Sequence, residues 1–568
     1  MGYLKKHKWY MIIGPLFKLF EAVLELFNPL IVAHLIDNGI ATGDTGYIVK
    51  YALIILAINV AGFGFAVVGQ KFASLASTRV SRDMRHDVFE KVSTFSHAEL
   101  DKFGTASLVN RLTNDINQIE TSIGVFIRTM LRVPFLLVGA FVLSLVINIK
   151  MSLVFLILIP IVCLILFIYM KKTSPYFSII RTKLDNISKV TKENLSGTRV
   201  IRAFNKQQDE QKRFENTSED YTKTSIHVAK ISALLNPIIF LIVDAAIIGI
   251  LAVGGWQINI GKMTQGDVIA LIDYVAIITI SLLMLSHIII IFVRTIASLN
   301  RVQEIIKTQP SIKNAENARK INKLDYEAIM EFKDVCFNYN QNTNTKSFIK
   351  DLSFKIYPNQ TIGIIGGTGS GKTTIANLMT RFYDPTRGEV LYKGRNIKDF
   401  SIEQLRDEIS IVQQRSTLFS GSLRDNMKIR SEKATDEEII EALKISQAWS
   451  FVSEWNNGLD HQIMAGGKNV SGGQMQRLTI ARSIIGKPQF LILDDSSSAL
   501  DFLTDYKLRK ELKKLNATTV MISQRATSIK NCDLIIVLDN GDVVGMGKHN
   551  QLIKDCEIYR EIYESQSK

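Results

Sequence analysis

TIGIIGGTGSGKTT, residues 361–374, decides how this chain is read. Ile362, Ile364 and Ile365 form a short β-branched run that breaks into glycines and then Lys372-Thr373-Thr374. The spacing is G-x-x-x-x-G-K-[ST], a P-loop, with Gly366, Gly371, Lys372 and Thr373 at the required places. Gly366, Gly369 and Gly371 can take dihedrals closed to other residues. The backbone N–H groups of Gly367, Thr368, Ser370 and their neighbours can therefore wrap a phosphate chain. The helix after Gly371, with Lys372, Thr373 and Thr374 in its first turn, offers its positive end to the same anion. Lys372 is expected to reach the β- and γ-phosphates, and the Thr373 hydroxyl to ligate Mg²⁺. The bland alternative is a glycine turn between a strand and a helix. A Lys and a Thr placed after a β-type run favour nucleotide binding over it.

Outward from this loop, 568 residues are enough for two or more cores. The hydrophobic content, 47%, is ordinary but unevenly spread, with long apolar runs confined to the first 300 residues. A formal charge of +14 could suggest nucleic acid, yet no basic-aromatic module or zinc-finger spacing is present. Basic loops on the cytoplasmic side of a membrane are the simpler source. Cys163, Cys336, Cys532 and Cys556 form no CxxC pair, so neither a disulfide framework nor a zinc site is indicated. The N-terminal MGYLKKHKWYMIIGPLF lacks a small-residue cleavage site and reads as a retained first helix.

Apolar stretches near 11–36, 48–70, 121–148, 151–170, 232–256 and 268–293 are each about long enough to cross a bilayer, which takes ~20 residues. Among the connecting loops expected outside, around 38–47, 148–151 and 257–267, only Lys150 and Lys262 are basic. The inner segments 71–118 and 171–230 are rich in Lys and Arg, which puts both termini in the cytoplasm. Those segments have helix-forming composition, so the spans are expected to continue well past the bilayer. Each is interrupted once, at FGTASLVNRLTND (103–115) and ENLSGTRVIRAF (193–204), where Gly104 and Gly197 would let the chain turn and present a short transverse helix. Two plain solvated hairpins are the alternative. The expected division is a transmembrane domain at 1–300, a polar linker at 301–330 and a nucleotide-binding domain at 331–568, ending in a hairpin at Asn540-Gly541.

Further motifs follow in a fixed order. Tyr339 precedes the P-loop and could stack on adenine. Gln414 ends an apolar strand. Val470-Ser471-Gly472-Gly473-Gln474 opens a helix whose N–H groups and Ser471 could grip a phosphate, or which is simply Ser-capped. Phe490 to Asp494 is a buried-type strand ending in a carboxylate, as a Walker B metal site requires, and Ser523-Gln524-Arg525 follows another apolar strand.

With these residues in view, the chain resembles the ATP-binding-cassette (ABC) exporters over nearly its whole length, as a half-transporter with the membrane domain fused before the ATPase. VSGGQ between a Walker A and a Walker B is specific to that superfamily, and 103–115 and 193–204 are similar to its coupling-helix regions. The resemblance implies a membrane all-α six-helix exporter domain followed by a cytoplasmic α/β P-loop ABC ATPase domain. It implies Tyr339 on adenine, Gln414 sensing Mg²⁺ and γ-phosphate, Ser471 to Gln474 as signature, Asp494 as Walker B acid and Ser498-Ala499-Leu500-Asp501 as D-loop. In the family two ATP molecules lie between two cassettes, each held by the Walker motifs of one and the signature of the other.

The sequence departs from that pattern in two main places and one smaller one. Where the family has a Glu base after the Walker B acid, Asp495 stands here, one methylene shorter, so its carboxylate falls back by more than ~1 Å. A base must lie within roughly 2.6–3.2 Å of the proton it takes and contributes ~10²–10⁴ in rate. The switch histidine is replaced by Gln524, which can hydrogen-bond but cannot carry an imidazolium charge. Together they imply a site that binds ATP and hydrolyses it slowly, beside an intact signature. That is the pattern of one half of a heterodimeric exporter of multidrug type; a homodimer with two sluggish sites is the alternative. AGGKN (465–469) also replaces the acidic stretch many members carry before the signature.

Lys18, Glu21 and Glu25 lie near one face of the first span, and Asp244 midway along the fifth. Such groups read as functional by default; a Lys18–Glu21 pair serving packing is the alternative. Acidic groups in a cavity would suit cationic amphiphiles, within a cargo class of drugs, lipids or peptides. The expected protein is thus a multi-pass plasma-membrane ATPase subunit that uses ATP and Mg²⁺, pairs with a second half-transporter and moves a hydrophobic or amphipathic compound. An ATP-gated channel or regulatory subunit is the competing reading. Six spans exclude a soluble cassette protein, and fusion of the two domains disfavours an importer.

Overall fold

A computed structural model of the chain describes residues 2–315, 326–339, 348–496 and 499–567. It forms two compact units, Met1–Ser93 with Ala106–Thr308, and Thr94–Thr105 with Gln309–Lys568. The first therefore runs past the expected boundary at 300. The helix Gln265–Lys307 takes in the first residues of the expected linker because Val302 and Ile305 continue its apolar stripe and are fully buried. Residues 316–325 of that linker lie outside the described residues.

Among the described residues six helices are long and apolar enough to span a bilayer: Lys8–Ile40, Thr45–Ser93, Thr105–Ile147, Ile149–Ser196, Gln207–Asn259 and Gln265–Lys307. Each contains one of the apolar stretches read from the sequence. At 49 residues the second helix is about 74 Å long, far more than the ~30 Å a bilayer core needs. Its far half is the expected extension. The third breaks at Met130-Leu131, where Pro134 has no N–H to return to the preceding turn, and Arg132 starts the next segment. Ala22, Leu26, Phe155, Leu271 and Tyr274 form the inner core, and the Tyr274 hydroxyl donates to the Leu26 carbonyl at 2.9 Å. Phe63, Val146 and Leu241 stay exposed, as expected where the solvent is hydrocarbon.

The second unit carries two main sheets. An antiparallel sheet orders Ile349–Ile356, Met330–Phe337, Arg387–Tyr392 and Arg395–Asn396. A six-stranded sheet orders Asp542–Gly547, Leu534–Asp539, Thr361–Gly366, Thr518–Ile522, Phe490–Asp494 and Ile409–Val412. All its neighbours pair in parallel except the terminal hairpin, which turns at Asn540-Gly541 with positive φ at both residues. Phe332, Ile364, Ile492 and Val520 share one apolar cluster between the sheets, and a second cluster joins Leu491 and Leu493 to the helices of 423–485. The parallel strands are buried on both faces, which is why they read as unbroken apolar runs.

Candidate functional site

Strand register places the site. Ile364 pairs with Ile522, Ile522 with Asp494, and Leu493 with Val412. The chain therefore leaves four adjacent strands at one edge through the P-loop, Ser523-Gln524, Asp494-Asp495 and the segment carrying Gln414. The carboxyl edge of a parallel sheet is where such folds bind ligands.

The loop's glycines do two different things. Gly371 sits at φ +101°, a left-handed conformation that L-residues avoid, and opens the helix Lys372–Met379. Gly366 does not take a positive φ, contrary to the expectation, but a Cβ there would stand 2.1 Å from the Leu538 carbonyl oxygen. Nothing lies within 4 Å of where a Cβ would be at Gly367 or Gly369, so this part of the loop is clear for a phosphate chain. Lys372 is buried and donates to the carbonyls of Gly366 at 2.9 Å and Gly367 at 2.6 Å. Burial lowers its pKa, while Asp494 and Asp495 oppose that shift.

Asp494 is buried at the strand end, and burial raises its carboxyl pKa; a hydrogen bond with the Thr373 side chain and the Lys372 charge pull the other way. Thr373, Asp494 and the exposed Gln414 supply three oxygens of the hard type that Mg²⁺ prefers, so the residues fit that ion. Asp495 follows at φ +46°, its N–H donating to the Ile522 carbonyl at 2.9 Å. Burial raises its pKa too, against Lys372 and a hydrogen bond with the Gln414 side chain. The expected base and the expected sensor thus hold each other. Gln524 is exposed on the neighbouring loop.

Tyr339 is half-exposed beside the P-loop helix, its hydroxyl 2.9 Å from that of Thr374 and its ring edge-on to Tyr383 at 5.2 Å. Ser471 and Gln474 close a capping box at the start of the helix Gly472–Ile484: the Ser471 hydroxyl accepts from the Gln474 N–H at 3.2 Å and the Gln474 side chain from the Ser471 N–H at 2.9 Å. The Ser cap read from the sequence is real, and it fixes this helix end. Ser498 of the expected D-loop lies outside the described residues; Asp501 caps the next helix, accepting from the Thr504 N–H at 2.9 Å.

At the first interruption, expected at 103–115, the separate short helix is His97–Phe103, ahead of Gly104, while Thr105–Asn110 begins the next long helix. Gly104, at φ +71°, ends the short helix. That helix folds into the second unit: His97 stacks on Phe382 with ring centres 4.1 Å apart, Tyr383 donates to Asp101, and Glu99 accepts from the Ser311 N–H at 3.1 Å. The second short helix, Thr198–Ala203, follows Gly197 as expected, with Val200 and Phe204 exposed.

Apart from the Lys18–Glu21 pair, which the sequence offered as the packing alternative, the following contacts had no sequence signal. Ser416, just past Gln414, donates to Gln476 of the signature helix at 2.6 Å. In the membrane unit Lys18 pairs with Glu21 at 2.6 Å, and Arg132 reaches Glu25 at 2.5 Å and Glu21 at 3.6 Å. Both carboxylates already have basic partners, so the leaning toward cationic cargo loses its support from Glu21 and Glu25. Asp244 is exposed on its span.

The family described as the ABC transporter transmembrane region matches residues 11–282, and the family described as ABC transporter matches 349–498. An uncharacterised ABC transporter ATP-binding protein of Bacillus subtilis is 32% identical over 100% of this chain and 98% of its own length. The chain belongs to the ABC transporter family. A putative ABC transporter ATP-binding protein of Mycoplasma genitalium is also 32% identical, over 98% of this chain and 96% of its own. A bacterial Atm1-family ABC exporter solved with ATP bound shares the fold, with a TM-score of 0.80, 21% identity and coverage of 100% and 99%. This ABC half-transporter is thus a multi-pass plasma-membrane protein with an exporter fold, an ATP-hydrolysing transporter that acts as a dimer in a lipid bilayer.

Proposed function

We propose that this chain is the slow-site half of a heterodimeric exporter, with both termini in the cytoplasm, moving a hydrophobic or amphipathic compound outward. Its Walker site holds ATP: Gly366 to Thr374 wrap the phosphates, Lys372 neutralises them, and Tyr339 lies under the adenine. Thr373, Gln414 and Asp494 hold Mg²⁺, which supplies charge neutralisation at the phosphates. Asp495 is the weakened base and Gln524 the γ-phosphate contact. Ser471, Gly472, Gly473 and Gln474 complete the active site on a partner chain carrying Glu and His at the two substituted positions.

The observation that carries this reading is Asp495. The side chain is short, its backbone is held in the left-handed region, and its carboxylate is bonded to Gln414. A base so tied reaches a γ-phosphate-bound water poorly, whereas the signature helix keeps its full complement of residues. The test is ATP turnover by the full chain alone in nanodiscs against turnover of the complex isolated through a tag on it. Slow turnover alone and fast turnover in the complex support the heterodimer. Fast turnover by the chain alone returns the homodimer.

A further inference from the structure

The last helix, Glu557–Ser567, is amphipathic. Ile558, Tyr559, Ile562 and Tyr563 pack on a cluster that includes Ala526, Ile529 and Cys532. Gln566 stands four residues after Ile562 and seven after Tyr559, on the same face, which brings it over the loop after Ile522. Its side-chain N–H₂ donates to the Gln524 carbonyl at 2.7 Å, and its carbonyl oxygen accepts from the Ala526 N–H at 2.8 Å. One primary amide thus brackets the backbone on both sides of Arg525, using a donor and an acceptor at once. Ala526 opens the short helix Ala526–Ile529, whose N-cap, Arg525, makes no side-chain capping bond, and Gln566 takes that role.

We propose that Gln566 is a positioning residue for nucleotide retention: it fixes the peptide of Gln524 so that the Gln524 side chain is aimed at the phosphate end of the site. A glutamine in place of a histidine has one more rotatable bond, so its productive rotamers are a smaller share of those available. Fixing the backbone from 524 to 526 restores part of that loss. The clamp comes from chain about forty residues downstream and belongs to none of the nucleotide-binding motifs. The inference rests on Gln524 being the γ-phosphate contact.

The test is a double-mutant cycle on the full chain in nanodiscs, reading the release of radiolabelled ATP from the Walker site after rapid dilution. Gln566→Ala should speed release about five- to tenfold, and Gln524→Ala by at least as much. The double variant should be no faster than Gln524→Ala, because one effect acts through the other. The integrity of the P-loop around Lys372 is checked in parallel by initial ATP association, which Gln566→Ala should leave unchanged, and Tm confirms that the terminal helix stays folded. Additive effects in the double variant, or wild-type release from Gln566→Ala beside faster release from Gln524→Ala, overturn the clamp and spare the site reading. Wild-type release from Gln524→Ala overturns both. Should Gln566→Ala lower Tm, Gln566→Met keeps the side-chain length and packing without the amide, and the same cycle is read with it.

Discussion

Replacing Gly473 by Asp should stop most turnover of the assembled exporter, while Asp495→Asn in the same chain should barely change it. Gly473 lies in the first turn of the signature helix, and a Cβ there would stand 3.1 Å from the Ala499 carbonyl oxygen, so the side chain has little room to turn aside. On the proposed arrangement its carboxylate would sit beside the helix end that receives the partner site's γ-phosphate. Two negative charges ~4 Å apart at an effective dielectric near 20 repel by about 4 kcal/mol. Spent against the transition state, that is about a 10³-fold loss. Asp495→Asn keeps size and the hydrogen bond to Gln414, and on the proposed arrangement touches only the slow site. Its cost should stay below about threefold, or ~0.7 kcal/mol. The assay is steady-state ATPase of the complex recovered through a tag on this chain, with both variants reconstituted at matched amounts. If Asp495→Asn is as damaging as Gly473→Asp, Asp495 is a working base and the two sites are equivalent.

Lys372→Ala should weaken nucleotide binding at this chain's Walker site by about 10–100-fold, the worth of one or two hydrogen bonds to a charged group; equilibrium binding of labelled ATP checks it. Tyr383→Phe removes the donor to Asp101 and should reduce substrate-stimulated ATPase without changing ATP affinity, a difference read by measuring both in the same vesicles. Arg132→Met leaves Glu21 and Glu25 short of a cation and should destabilise the membrane unit by about 1–3 kcal/mol, less than a fully buried pair because Glu25 is partly exposed, seen as a lower Tm in detergent. Because burial raises the Asp494 carboxyl, Mg²⁺-dependent ATP binding should fall away with acidification at a higher pH than an exposed aspartate's ~3.9 allows, and a binding titration from neutral pH downward would show it.

The sequence by itself determined the architecture and the order of the binding motifs. Unbroken apolar runs of bilayer length and of parallel-strand length are local properties, set by the solvent each segment must meet. The P-loop and VSGGQ are equally local, since each is a short stretch of backbone with fixed residue types. The departures at Asp495 and Gln524 were likewise visible as single letters. Tertiary structure alone decided who touches whom across long separations. Arg132 lies more than a hundred residues from the glutamates it neutralises, and Tyr383 meets Asp101 nearly three hundred residues away. Gln566 reaches Gln524 only because an amphipathic helix must bury Tyr559 and Ile562 first. Gly366 belongs to the same class: the motif demanded a glycine there, but the reason is the Leu538 carbonyl of a neighbouring strand, not its own dihedrals. Hydrogen bonds and ion pairs of this kind leave no periodicity in the chain, because their partners are brought together by the packing of apolar faces that have no stake in them.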